Sequence, residues 1–388
     1  MLPAKRAAKF GLYSNNGIWY NRTMMFPSLQ GKQVNLGLNL IRVWLSLEVV
    51  IDHYWHQKGL TGVAFFLSGT RSLAVPCFLL MSFYLTAGRF ESSDGSWFKS
   101  RLGRLCGPYL VWPLVYFVFV LVAAALSPAF VASTEGLTEL KYYGFDMAVD
   151  AWDLVRQYLC GIDRRLVHQF WFHHNLIIWT VAMFLLLKFV VRPRVRNYVL
   201  SAIVMACFAI QYSPLNRMLF DPLSFEVKYS FGRLVATAPY AALGLMIGFN
   251  RRKLSQIGGS LRVFLSVAGL FILFFVFYSG AFPRPKGLGY QGINLVLMAL
   301  GTVTFFHYLP LERAPQWLAK SIGLVSRYCM GIYCCHLLVG WALHAWLFPK
   351  VGIGVETFAG CIAIWVASWL LCLAIALIPG RFAKSMVE

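Results

Sequence analysis

Acidic side chains are scarce in this chain, 15 Asp and Glu among 388 residues, and charge of either sign makes up only 13% of it. A soluble globule carries about 25% charged residues, so an ordinary water-soluble domain is excluded. With 59% of residues hydrophobic, the composition is that of a polytopic membrane protein. Metal-ligand spacing is also missing from the nine cysteines. Cys77, Cys207, Cys329, Cys334, Cys335, Cys361 and Cys372 fall in or beside apolar runs and read as small packing residues. The first 33 residues lack the apolar core and small-residue cleavage site of a secretory signal. They read as a basic cytoplasmic lead-in. No internal repeat of the kind that builds transporters is visible.

What the chain does have is basic residues, 35 Lys and Arg for a net charge of +20. In a soluble protein that excess suggests nucleic acid. Here the basic residues lie in short segments between apolar runs, as the positive-inside rule expects, so the expected partner is the lipid bilayer and no nucleic acid. Apolar runs of about 17 to 25 residues, the length that crosses a bilayer, fall near 34–55, 72–88, 107–127, 169–191, 197–213, 230–249, 260–279, 290–309, 321–347 and 353–378. With the N-terminus inside, cytoplasmic segments hold 22 Lys and Arg against 4 Asp and Glu, and outer segments hold 12 against 9. The expected fold is therefore an all-α integral membrane bundle of about ten transmembrane helices with both termini cytoplasmic. The membrane domain spans 34–380, an outer loop lies near 128–168 with the amphipathic stretch VDAWDLVRQYLCGIDRRL, and 381–388 form a cytoplasmic tail.

The first run contains RVWLSLEVVIDH, residues 42–53. A charge at the bilayer centre costs about 2.5 to 3.5 kcal/mol or more, so these groups must face protein or a wet cavity. On a helix, Arg42 and His53 lie about 20° apart around the axis and about 16 Å apart along it. Ser46, Val49 and His56 fall near the same stripe, and Asp52 stands an i,i+4 step before His56. Glu48 points away from Arg42, which is expected to find its counter-charge on another helix. A buried structural ion network is one reading of the stripe. The other is chemical, because a histidine of near-neutral pKa is suited to take a proton from a hydroxyl.

Four segments carry a resemblance to a known family. They are the Arg42 and His53 pair, AVPCFLLMSFYLTAG in the second span, the basic stretch FKSRLGRLCGPYLVW, and SRYCMGIYCCHLLV near the ninth. Their order and spacing resemble the acyltransferase-3 family of bacterial integral-membrane acyltransferases. Two departures stand out: Phe83 follows Ser82 where the family usually has glycine, and FWFHHNLIIW carries His173, His174 and Asn175 where an apolar segment is expected.

The resemblance implies transfer of an acyl group, commonly acetyl, from cytoplasmic acyl-CoA to a hydroxyl of a carbohydrate acceptor. That acceptor would be a surface polysaccharide, O-antigen or periplasmic glycan, the location the bacterial inner membrane, and no metal is involved. His53 would be the general base, with Arg42, Asp52 and His336 as further catalytic candidates. Lys99, Arg101 and Arg104 would hold the CoA phosphates, since guanidinium forks match phosphate geometry; the alternative for this basic stretch is a plain positive-inside anchor. Glu48, His56, Ser82, His173, His174, Asn175 and Tyr333 would line the substrate cavity. His307 and His344 sit near span ends and read as interfacial. The rival reading is a polytopic transporter or flippase of a glycan or lipid-linked intermediate, which predicts internal symmetry and Gly/Pro-broken helix pairs.

Overall fold

The computed structural model describes residues 35–388 apart from 56–65, 68, 91–94, 134, 139–167, 221, 223–224, 281–291 and 312. The expected N-terminal lead-in, His56 and nearly all of the outer loop with its amphipathic stretch lie outside the described residues. Among the described residues the chain is all helical, with no strand. The principal helices are α1 (Leu36–Tyr54), α2 (Ala74–Phe90), α3 (Gly95–Leu126), α4 (Trp171–Leu185), α5 (Arg196–Tyr212), α6 (Phe225–Phe249), α7 (Gly259–Ser279), α8 (Ile293–Tyr308), α9 (Gln316–Arg327), α10 (Cys329–Trp346), α11 (Phe358–Leu377) and α12 (Arg381–Val387). Six of them are long and apolar enough to cross a bilayer: α3, α4 with its terminal π turn, α6, α7, α10 and α11. Helices α2 and α8 are equally apolar but shorter.

Every apolar run read from the sequence falls on a helix, with three revisions of boundary. Helix α3 begins at Gly95 rather than 107, so the basic stretch is helical and not a loop. The ninth run breaks at Tyr328. Before it, α9 is an amphipathic helix with Trp317 exposed and Ser326 buried, and after it α10 is buried on most of its faces. The tail 381–388 is largely a docked helix, α12, with Met386 and Val387 buried.

Helix α1 is the hub. It packs against α2, α8, α9, α10 and α11, and Ile41, Leu45, Ser46, Glu48, Val49, Val50 and Ile51 are all buried. Protein on every side is what lets its ionisable groups exist at membrane depth. Its start is pinned by Asn35, whose side-chain oxygen caps Leu38 N at 3.0 Å and whose Nδ2 donates to the His307 carbonyl at 2.9 Å. Asn35 Nδ2 also lies 3.1 Å from His307 Nδ1, and Tyr84 Oη lies 3.3 Å from Nε2. An amide nitrogen only donates, so the neutral ring accepts at Nδ1 and donates from Nε2 to the tyrosine. His307 thus ties α1 and α2 to α8 and is a structural tie, a closer role than the interfacial one expected.

Where Phe83 replaces the family's usual glycine, close packing is provided by the opposite helix. Phe83 is fully buried, and the small residues that allow close approach are Gly244 and Gly248 of α6. A Cβ at Gly244 would lie 2.4 Å from the Leu80 carbonyl oxygen, and one at Gly248 would lie 2.6 Å from that of Tyr84. Small residues four apart are the usual device for seating one membrane helix on another. Gly244→Val should therefore lower the unfolding midpoint in detergent, by an amount equivalent to about 1 to 3 kcal/mol or more. Gly103→Ala, where an added Cβ meets nothing within 4 Å, should leave it unchanged or raise it slightly; equal midpoints for the two variants would refute this packing.

Candidate active site

Helices α1 and α10 run side by side in the same direction. Near their starts Arg42 and Cys329 line one cavity. Farther along, the rings of His53 and His336 face each other with centroids 5.0 Å apart and planes tilted by 43°. One residue on, Tyr54 Oη donates to the Leu337 carbonyl at 3.2 Å. Tyr54 fits only because position 340 is glycine, where a Cβ would lie 2.0 Å from the phenol oxygen. The stripe read on α1 thus meets the histidine of SRYCMGIYCCHLLV, joining two motifs far apart in the chain.

The His336 tautomer follows from its partners. Nδ1 lies 2.9 Å from the Tyr333 carbonyl and 3.2 Å from that of Ile332. Carbonyl oxygens only accept, so the proton sits on Nδ1 and, in the neutral ring, Nε2 carries the basic lone pair. The turn that holds this ring is itself modified. Tyr116 Oη of α3 donates to the Cys334 carbonyl at 2.8 Å and accepts from Leu338 N at 3.1 Å. Those two backbone groups would ordinarily bond each other, so the hydroxyl is inserted into the helical ladder. Gln169 Nε2 donates to the same oxygen at 3.1 Å.

Toward the starts of the two helices lies a cavity of about 620 Å³. Arg42, Arg101, Arg104, Arg327 and Lys384 reach it, with Glu388 as the single acidic residue of its lining. Arg101 is buried, and its Nη2 donates to Ser82 Oγ at 2.9 Å while Nε donates to Thr180 Oγ1 at 3.2 Å. Both partners are neutral hydroxyls. Among the described residues none of the five cations has a carboxylate within ion-pair distance, and Arg42 lies on the cavity wall that Glu388 shares. Phe78, Phe172, Leu176 and Met330 form the apolar part of the wall. His53 and His336 stand beyond it. Tyr333 separates the two regions, its ring 5.2 Å from that of Phe172 and 6.2 Å from that of His336.

The other expected site residues divide accordingly. Ser82, Arg101 and Arg104 line the cavity, whereas Lys99 is exposed and does not. Glu48 is fully buried and accepts from Thr70 Oγ1 at 3.2 Å, which makes it a core group and not a cavity wall. Asp52 is half-buried beside His53. His173 is enclosed by Phe170, Phe172 and Tyr333, with its Nε2 3.9 Å from Cys334 Sγ. His174 lies 3.4 Å from the Asn175 side chain, and Asn175 joins Trp179 at Thr237 Oγ1. Asn175 and Trp179 thus tie α4 to α6, and none of His173, His174 and Asn175 lines the cavity. Tyr333 donates to the Gln169 carbonyl and partitions the site where it was expected to line it. Sequence reasoning missed Arg327, Lys384 and Glu388 as cavity residues, and Thr180 and Tyr116 as supports. Arg327 is the second residue of the fourth motif segment, the one signal that pointed to any of them.

The site of this helical membrane protein thus combines a cation-lined interior cavity with two facing histidines, linked through the Phe172, Tyr333 and His336 rings. The chain belongs to the acyltransferase-3 family: the family profile, described as an acyltransferase domain, matches residues 35–377. It is a membrane acyltransferase. No curated protein and no solved structure matches it.

Because Arg101 sits in the core and not in a loop, its removal should be felt as instability. Arg101→Ala loses two hydrogen bonds to a charged group, each worth about 1.5 to 3 kcal/mol, and should lower the unfolding midpoint clearly. Arg104→Ala, at an exposed position, should stay within about 0.5 kcal/mol of the parent. Thermal unfolding of the two purified variants side by side checks this, and equal midpoints would contradict the burial assigned to Arg101.

Proposed function

We propose that this acyltransferase moves an acyl group, of the acetyl type, from acyl-CoA on the cytoplasmic side to a hydroxyl of a carbohydrate on the outer side of a bacterial inner membrane. The observation that carries the reading is the cavity: five cationic side chains and one acidic residue surround a void whose wall ring, Phe172, touches Tyr333, which in turn touches His336. An electropositive pocket with an apolar inner wall matches a thioester whose nucleotide end is polyanionic and whose acyl end is not.

In the proposed reaction the acceptor oxygen attacks the thioester carbonyl carbon as His53 takes its proton. The C–S bond then breaks, and the CoA thiolate leaves and is protonated, giving the ester and free CoA. His336 serves as the group against which His53 is set, its Nδ1 proton fixed to backbone so that Nε2 is available. Arg42 lines the donor path about 16 Å before His53 along α1. The thioester would have to pass Phe172 and Tyr333, so we assign these two rings the role of a partition between donor and acceptor chambers. The orientation, with ten crossings and both termini cytoplasmic, is supported by the distribution of basic residues. Arg101, Arg104, Arg327 and Lys384 all belong to segments on that basic side.

General-base assistance contributes about 10² to 10⁴ in rate. His53→Gln, which keeps a hydrogen bond but no base near neutral pH, should lower acyl transfer in proteoliposomes by that factor while leaving CoA binding intact. His336→Gln should fall in the same direction. A monodisperse His53→Gln protein with parental turnover would remove His53 from the mechanism, and glycan movement without thioester consumption would favour the transporter reading. Cysteine labelling supplies the test of sidedness: positions 95 and 385 should be reachable from the cytoplasm and position 145 from outside. Labelling of position 145 from inside would reverse the topology.

A further inference from the structure

The last helix contributes to the cavity although the sequence presents it as a tail. Helix α12 is held by contacts that a free tail would not make. Met386 and Val387 are buried, and Trp112 Nε1 of α3 donates to the Met386 carbonyl at 3.1 Å. A Cβ at Gly331 of α10 would come within 2.9 Å of Val387 Cα, so that position is small where the helix sits. Docked this way, α12 places Lys384, Ser385 and Glu388 on the cavity wall. Arg327, the last residue of α9, reaches the same wall.

Exposure grades the five cations. Arg101 is buried and Arg42 half-buried, whereas Arg104, Arg327 and Lys384 are exposed and mark the mouth. A basic anchor of the ordinary kind turns toward lipid headgroups. Lys384 and Arg327 instead share a void with three further cations and one acidic residue, an arrangement that repels itself until an anion enters.

We propose that Arg327 and Lys384 form the outer half of the donor site and hold the nucleotide phosphates of CoA, and that α12 is the element that completes this site. The proposal rests on acyl-CoA being the donor. It divides the ligand in two: the mouth binds the phosphorylated nucleotide, and the inner wall from Arg101 to Met330 takes the uncharged pantetheine arm. Glu388 opposes an anion at the mouth, and Trp112 is a positioning residue that acts through its bond to α12.

The test measures binding and kinetics of the full-length protein in detergent with three probes: CoA, CoA lacking its 3′-phosphate, and pantetheine. A charged hydrogen bond lost from each of two residues corresponds to about tenfold to a hundredfold per contact. Arg327→Ala with Lys384→Ala should weaken CoA by at least that factor, narrow its advantage over the dephosphorylated form, and leave pantetheine unchanged. Glu388→Gln should tighten CoA. Trp112→Phe should raise KM for acetyl-CoA while sparing kcat at saturation, and Lys384→Arg should retain CoA affinity. If the parent protein binds CoA and the double variant binds it equally well, the mouth assignment is wrong and the proposed reaction stands. If the parent binds none of the three probes, the donor reading itself falls. Equal weakening of CoA and pantetheine would also overturn the proposal, since it would mean that α12 supports the whole cavity and does not read phosphate.

Discussion

The constraint on which the structure depends is that ionisable groups at membrane depth must be sheathed by protein or face an internal cavity. Helix α1 carries Arg42, Glu48, Asp52 and His53 within three turns or so, and no lipid-facing position could hold them. The fold answers by surrounding α1 with five other helices. Each polar group then has a separate environment: Arg42 a cavity, Glu48 a buried hydroxyl, His53 a second imidazole. The more apolar helices stand farther out, and α7, with Phe264, Phe271 and Phe275 exposed, turns its aromatic face outward. Placement in the bundle follows from what each helix would lose in lipid.

The same constraint explains the cavity. Cations without carboxylate partners are unfavourable in a dry interior, and these five are arranged around a void. Only Arg101 is buried among protein groups, and it is the one whose guanidinium is held by two hydroxyls. Those neutral partners orient the side chain without neutralising it. The charge stays available to a visitor, which an ion pair would have prevented.

Much of this was legible in the sequence, because hydrophobic length and charge spacing are local properties. The apolar runs marked helices, the R-x10-H stripe marked the central one, and the serine and arginines of two motif segments marked the cavity wall. What could not be read was proximity across the chain. Nothing in the spacing of α10 says that His336 meets His53, because helix register between distant segments is set by packing at positions such as Gly340 and Tyr54. Span counting follows hydrophobicity and not helicity, so it missed the polar first turns of α3, whose Lys, Arg and Leu are good helix formers. Lys384 and Arg327 looked like every other basic flank. The glycine that was absent after Ser82 was supplied by α6, a compensation that a single position considered alone does not reveal.

The hydroxyl of Tyr116 has one more implication. It bridges a carbonyl and an amide of α10 that would otherwise close on each other, so the two helices share a backbone connection at that point. Sliding α3 along α10 would break both bonds to the buried Tyr116 hydroxyl at once, at a cost of about 1 to 3 kcal/mol for that group, while the two backbone groups closed on each other. The helix bearing Arg101 is therefore pinned at Tyr116 to the turn bearing His336, and the register between the two helices cannot shift without breaking that bridge.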